Sequence, residues 1–457
     1  MGYAWNKSVN EMEKFKIDKQ TLEELNLLGK FKTGTIYNLF NNVCTRGGEQ
    51  LLDEMFNNPL TDMHAINDRS SIFNYFQQQN FGFDFDKQLV ATMREYLDTT
   101  SYRSKTLVYG TTVLHKFLSS LARDDRYKKN VQGLQAVIQL LNTVQKMLDV
   151  FVSAVPQFQV RVDEIKAIML NPLLIKLQRT DIYRALPLST LAFYEHLLKG
   201  KFLADMESLL RFVYEVDVYH AVAQIARVKG FQYATALPAT ENRLACKNLK
   251  HPSISKAVGN DLLLQESNNV LFLTGANMAG KSTWMKSLGI ALYLAHMGFP
   301  LAADSFEFSV RDGLYSSINV ADNIGLGYSH FYAEVMRVKE AAVAAASGAR
   351  LMLIFDELFK GTNVKDAYDG TLAVTSEFAE YEACLFVVST HIIEVGEALQ
   401  SVGNIQFRYM PTVLENSIPR YTYRLQEGIT EDRQGMMIIR NERILELMNG
   451  SVVNTCN

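Results

Sequence analysis

From Val131 to Val155, apolar side chains recur at Val131, Leu134, Val137, Ile138, Leu141, Val144, Leu148 and Phe151. Steps of three and four residues place them on one stripe of a helix, the side that packs inward. Residues 204–228 repeat the pattern with Leu209, Leu210, Val213, Val216, Val218, Val222, Ile225 and Ala226, and Gly230 supplies a stop. Prolines 59, 156, 172 and 187 mark breaks between such stretches. The texture changes near residue 246. Short apolar runs bounded by Asn and Gly, such as Leu262–Leu264 and Val270–Thr274, read as strands. Strand-like runs then alternate with helices: Leu271–Thr274 before a helix from Lys281, Arg350–Phe355 before one from about Lys365, Leu385–Ser389 before one from about Ile392. Strands separated by helices require crossover connections and a largely parallel sheet. The expected fold class is α + α/β, with an all-helical domain over residues 1–245 and an α/β domain over residues 246–457.

Composition agrees with long helices. The chain has 457 residues, and its nine prolines fall well under the usual ~5 %. Hydrophobic residues at 48 % and charged residues at 21 % exclude a disordered, collagen-like or disulfide-scaffold protein. The net charge is −3, unevenly spread. Residues 1–250 carry 31 basic and 26 acidic side chains; the remainder carries 15 and 23. A mildly basic first half permits contact with nucleic acid without showing it. Cys44, Cys246, Cys384 and Cys456 are too scattered for a Cys-x-x-Cys motif and read as free thiols of a reducing compartment. The N-terminus has no apolar h-region, no run reaches membrane-spanning length, and a cytoplasmic location without a membrane partner is expected.

The sharpest chemical signal is Gly275-Ala276-Asn277-Met278-Ala279-Gly280-Lys281-Ser282, followed by Thr283. It fits G-x-x-x-x-G-K-[ST], with a strand candidate before it and a helix candidate after it. Glycines let backbone N–H groups converge on phosphate oxygens, and the helix start adds its positive end. In such a loop Lys281 neutralises β/γ-phosphate charge, and the Ser282 hydroxyl ligates Mg²⁺. A second apolar strand, Leu351–Phe355, ends in Asp356-Glu357. Asp356 is the candidate metal residue, and Glu357 the one that orients or activates a water. A third, Leu385–Val388, ends in Ser389-Thr390-His391, and His391 is placed to sense the γ-phosphate.

Together these motifs resemble the ATPase domain of the MutS family of DNA mismatch-repair proteins, which belongs to the ABC-type ATPases. Asn277-Met278 is the family-like pair in the loop. Asp356-Glu357-Leu358-Phe359-Lys360-Gly361-Thr362 resembles the family's D-E-[LI]-G-R-G-T, with Phe359-Lys360 in place of Gly-Arg. Ser389-Thr390-His391 stands where the family has Ala-Thr-His. Ser329-His330-Phe331-Tyr332-Ala333-Glu334-Val335-Met336 resembles the signature whose serine reaches the nucleotide of the opposite subunit, and Ser329 is equally placed to cap a helix. Asn42–Asp62 and Leu209–Tyr233 resemble the family's helical core and lever, and Tyr421–Met436 its closing segment. The likeness runs from about residue 20 to about residue 448.

The resemblance implies a helical core/lever domain followed by an ABC-type P-loop ATPase domain. It implies ATP and Mg²⁺ as ligands and a homodimer with composite sites. Lys281, Ser282, Asp356, Glu357 and His391 would come from one subunit and Ser329 from the other. Double-stranded DNA is the implied partner, with a further repair protein left open. No mismatch-reading or connector domain is expected before residue 20, so mismatch specificity of the wedge type is not. The family's adenine-stacking aromatic is expected just before Asn260, where Ala257, Val258 and Gly259 stand. Two readings follow: a DNA-coupled ATPase of the mismatch-repair type, including one that reads branched DNA by shape, or an ATP-switched protein-interaction module without DNA binding.

Overall fold

The computed structural model describes residues 14–79, 82, 86–99, 105–121, 126–151, 154–181, 184, 187–318, 330–415, 418–430 and 444–448. In chain order the first half holds β1 (Lys16–Ile17), α1 (Lys19–Glu24), α2 (Ile36–Phe40), α3 (Arg46–Asn57), α4 (Met63–Gln78), α5 (Lys87–Asp98), α6 (Lys105–Leu121), α7 (Arg126–Val150), α8 (Pro156–Met169), α9 (Pro172–Gln178), α10 (Leu188–Leu198) and α11 (Leu203–Lys229). The second half holds β2 (Gln232–Tyr233), β3 (Thr235–Leu237), β4 (Leu244–Leu249), β5 (Asn260–Leu264), β6 (Val270–Gly275), α12 (Lys281–His296), β7 (Pro300–Leu301), β8 (Ser305–Ser309), β9 (Gly313–Ser317), α13 (His330–Ala346), β10 (Leu351–Asp356), α14 (Val364–Ala379), β11 (Leu385–Ser389), α15 (Ile393–Leu399), β12 (Ile405–Met410), β13 (Thr412–Glu415), β14 (Ile418–Tyr421), β15 (Gln426–Glu427) and α16 (Ile444–Met448). None of these helices is long and apolar enough to cross a membrane among the described residues.

The chain forms two compact units whose segments alternate along the sequence. One takes residues 1–39, 58–67 and 229–457; the other takes 40–57 and 68–228. The single cut expected at residue 245 therefore does not describe them. The reason is a pair of early segments with partners far along the chain. Strand β1 pairs in parallel with β9, Lys16 opposite Gly313. Leu60 donates its N–H to the His296 carbonyl at 2.9 Å, and the His296 ring bonds the Leu60 carbonyl in return at 2.8 Å.

The helical unit follows from its stripes. In α7, Leu134, Val137, Ile138, Leu141, Val144 and Leu148 are buried as their spacing requires, and Phe151 is buried just past the helix end. Pro156 and Pro172 open α8 and α9, where a missing N–H costs nothing. Gly230, at φ +69°, follows the end of α11. An aromatic cluster sits in this core: Phe158 stacks on Phe212 at 6.0 Å and meets Phe151 edge-on at 5.1 Å. On α11 the buried carboxylate of Asp217 accepts the N–H groups of Cys44 (2.8 Å) and Thr45 (2.6 Å) and the Thr45 hydroxyl (2.7 Å). It thereby satisfies donors at the entry to α3, which would otherwise be orphaned.

The α/β unit is built on a sheet ordered β1-β9-β10-β11-β6-β12-β15, parallel except for the last pair. Strands β6, β10 and β11 are buried at every position, as expected where both faces are covered. On one face Phe272, Leu353, Phe355, Phe386 and Val388 form a core with α13, α14 and α15. Ile354, of opposite parity on β10, approaches Gly289 of α12. A smaller sheet, β3-β8-β4-β5, completes the unit.

Candidate functional site

Strand β6 ends at Gly275, whose φ of +143° turns the chain out of the sheet. A Cβ there would meet the Met410 carbonyl at 3.0 Å. Gly280, at φ +101°, caps the start of α12, and a Cβ on it would lie 2.8 Å from a ring carbon of Tyr423. Glycine is thus required at both positions by conformation and by space. Between them Ala279 is buried with an ordinary φ; the left-handed residue of the loop is Met278, at φ +69°. The Ala279 N–H bonds the Ala276 carbonyl at 3.2 Å, closing the turn, while Asn277 and Met278 face solvent.

Lys281 is 4 % exposed and donates its ammonium to the carbonyls of Gly275 (2.8 Å) and Ala276 (3.2 Å). Burial pushes its pKa down, and the carboxylates of Asp356 and Glu357 pull it back up. Lys281 opens α12 just after the loop that follows β6, and Asp356 ends β10. Ser282 and Thr283 follow in the first turn of α12, with Ser282 half-buried and Thr283 exposed.

Strand β11 lies between β6 and β10, in register with both. Asp356 pairs opposite Ser389, and the Ser389 hydroxyl donates to the Asp356 carboxylate. The Glu357 N–H bonds the Ser389 carbonyl at 2.9 Å. Glu357 leaves the strand at φ +58°, and Phe359 follows at φ +62°. Left-handed backbone costs a non-glycine residue roughly 1–2 kcal/mol. The turn therefore holds its shape against a local preference. It aims the Glu357 carboxylate at His391, Oε1 to Nε2 at 2.6 Å. That hydrogen bond holds the Glu357 pKa below its ordinary value despite burial.

The structure thus brings Lys281, Asp356, Glu357 and His391 to one edge of the sheet, with residues 275–280 beside them. Ser329 lies outside the described residues. Sequence reasoning missed Ser389 as the partner of Asp356 and Tyr423 as the aromatic beside Gly280. Tyr423 is held by Asn260, whose side chain donates to the Tyr423 carbonyl at 2.9 Å and accepts the Leu425 N–H at 2.7 Å. Its own φ is +57°. No local pattern marks it, since its partners lie far back in the chain. At Gly259, directly before Asn260, a side chain has no room: a Cβ there would stand 1.8 Å from the Asn248 side chain.

The loop, the buried lysine and the strand-end carboxylates are the parts that phosphate binding and metal-assisted hydrolysis need. Among the described residues no cluster of His, Cys, Asp and Glu suits a resident metal. Cys44, Cys246 and Cys384 are free.

Two family models match the chain. Residues 20–258 match the model of MutS domain III, and residues 271–449 match that of MutS domain V. A DNA mismatch repair protein MutS from Streptococcus sanguinis is 25 % identical over 257 residues, covering 54 % of this chain and 30 % of its own. The protein of that name from Lactobacillus delbrueckii subsp. bulgaricus is 27 % identical over 242 residues, 52 % of this chain and 28 % of its own. One from Bacillus cereus is 24 % identical over 243 residues, 52 % and 27 %. The chain thus spans less than a third of the length of these relatives. The domain III match alone covers more than half of the chain, and the chain belongs to the MutS family.

Proposed function

We propose that this chain is an ATPase of the MutS type, with a helical core/lever unit joined to an ABC-type nucleotide-binding unit. The observation that carries the reading is the convergence of Lys281, Asp356 and the Glu357–His391 pair beside a glycine-bounded loop. Residues 275–283 take the phosphates of ATP, with Lys281 on the β/γ oxygens. Its competing bonds to two loop carbonyls keep the ammonium in place without a fixed carboxylate partner.

The donor set fits Mg²⁺: a hydroxyl at Ser282 and a carboxylate at Asp356, itself oriented by the Ser389 hydroxyl. When bound, the ion neutralises charge on the phosphates. Glu357, kept ionised by His391, accepts a hydrogen bond from the attacking water and aligns it. His391 fixes the carboxylate and registers the state of the γ-phosphate. Most of the rate comes from positioning and electrostatics. Tyr423 offers its ring as the platform for the base, the role expected of an aromatic before Asn260.

In this reading Ser329 of a second copy completes each site, so the active form is a homodimer. ATP closes the dimer, hydrolysis opens it, and α11 carries the motion into the helical unit. The partner is duplex DNA, in mismatch repair or a related processing of DNA structure, in the cytoplasm.

A second reading is an ATP-switched module that grips protein. One observation favours it: between Pro156 and Pro187, where basic residues could track a phosphate backbone, Arg161 is bound by Glu215 at 3.0 Å, by Glu164 at 3.1 Å and by Ser208. Arg184 faces Asp181 at 3.3 Å. The test is ATPase rate against protein concentration, with and without plain, mismatched and branched duplex, at two salt concentrations. A per-subunit rate that rises with concentration and responds to DNA in a salt-sensitive way supports the DNA-coupled dimer. A rate indifferent to every DNA leaves the protein switch.

A further inference from the structure

We propose that Phe359 is a positioning residue for Glu357, and that its ring, seated against Gly370, sets where the Glu357 carboxylate points. The turn Glu357-Leu358-Phe359 has left-handed backbone at both ends, φ +58° and +62°. Glycine adopts that conformation freely, whereas a bulky side chain there is an outlier. Such strain persists only where the surroundings over-determine it, and it gathers at functional sites.

Here the surroundings do so at each residue. The Glu357 N–H is tied to the Ser389 carbonyl at 2.9 Å. The Leu358 carbonyl accepts the buried Thr371 hydroxyl at 3.2 Å. The Phe359 side chain is 6 % exposed and meets Phe331 edge-on, with ring centroids 6.0 Å apart. Its ring lies where a side chain at Gly370 would be: a Cβ there would stand 2.9 Å from Cδ2 and 3.1 Å from Cε2. Gly370 falls in the middle of α14, where glycine is unfavourable. Two locally poor choices, a left-handed phenylalanine and a mid-helix glycine, thus serve one contact. That contact ties the turn bearing Glu357 to α13 through Phe331 and to α14 through Gly370. Local rules broken together at one place mark a functional constraint.

The proposal rests on the reading of Glu357 as the residue that aligns water. Phe359→Gly removes the ring and relieves the strain together. Turnover of ATP at saturation is expected to fall at least fivefold, with the dissociation constant of a fluorescent ADP analogue within twofold of the parent. Gly370→Ala displaces the ring and is expected to act the same way. The double variant should be no slower than the worse single one, because Gly370 matters only while the ring is there. Phe359→Leu keeps apolar bulk and should retain more turnover than Phe359→Gly; it and Gly370→Ala decide the matter if Phe359→Gly does not fold. The pH profile of turnover should shift in the slowed variants, which a contact serving stability alone would not produce. Folded variants with parental turnover, or single-variant losses that simply multiply in the double, overturn the proposal. A parent chain that hydrolyses no ATP, or a Glu357→Gln variant with full turnover, removes the underlying reading instead.

Discussion

Glu357 and His391 meet side chain to side chain, Oε1 to Nε2 at 2.6 Å, at the ends of strands β10 and β11. The pairing gives the carboxylate a fixed direction and keeps it ionised. Glu357→Gln retains the size and loses the charge. It is expected to bind ATP with Mg²⁺ as the parent does and to turn over at least ten times more slowly. Single-turnover hydrolysis beside nucleotide titration checks this, and equal rates would remove Glu357 from its role.

The same pair carries a pH signature. The His391 hydrogen bond lowers the Glu357 pKa below 4.5 in the folded chain. Any stabilisation it gives is therefore present above pH 4.5 and is lost as the pH falls through the lower folded value. Thermal unfolding of the parent and Glu357→Gln at pH 7 and near pH 4 should show a gap that narrows in acid.

His296 behaves in the opposite sense to a histidine paired with a carboxylate. Burial holds its ring neutral and pushes its pKa from 6.5 down to about 4. The unfolded chain takes up a proton below pH 6.5, and the folded chain does not until about pH 4. Stability accordingly rises with pH across that window and is lower by roughly 3 kcal/mol at its acid end. His296→Asn keeps a donor for the Leu60 carbonyl and removes the titration. Urea unfolding of the two proteins at pH 7 and pH 4.5 should differ in its acid dependence; parallel losses would contradict the assignment.

Asp217 accepts two backbone N–H groups and the Thr45 hydroxyl while almost fully buried. Asp217→Ala leaves three donors without an acceptor and should cost about 3 kcal/mol. Denaturant unfolding followed by far-ultraviolet dichroism checks it. A midpoint within error of the parent would mean that water serves those donors equally well.

In the proposed reading the half-exposed ring of Tyr423, beside Gly280, stacks on the nucleobase. Tyr423→Ala is expected to weaken ATP binding about tenfold, the scale of one aromatic–base stack. Binding of inorganic triphosphate should stay unchanged. Equal losses for both ligands would place Tyr423 in the scaffold of Gly280 instead.

The strands bearing chemistry were legible because each is a run of buried apolar residues ending in an acid or a hydroxyl, and buried parallel strands have that form. The stripe in α7 was legible in its face and displaced in its ends, since Phe151 stays buried after the helix stops. Glycines 275 and 280 of the loop could be named, yet the left-handed residue between them proved to be Met278, because backbone sign is not written in side-chain type. Ser389 as the partner of Asp356 follows only from the register of β10 on β11. Strand β1 is two residues long and carries no periodic signal, and its partner β9 lies at the far side of the helical stretch.

That last pairing bears on how the molecule is made. The segment holding Asp18, Thr21 and Glu24 leaves the ribosome early, but its partners arrive late: Thr21 receives the Ser316 N–H across 295 residues, and Arg337 binds Asp18 across 319. Residues 68–228, by contrast, form a continuous stretch that clusters with residues 40–57, which lie upstream of it. Nearby contacts close quickly and distant ones slowly. The residues of the helical unit are therefore all made before β9 and α13, the partners of that early segment. A nascent chain is thus barred from pairing β1 into the sheet until β9 has been made.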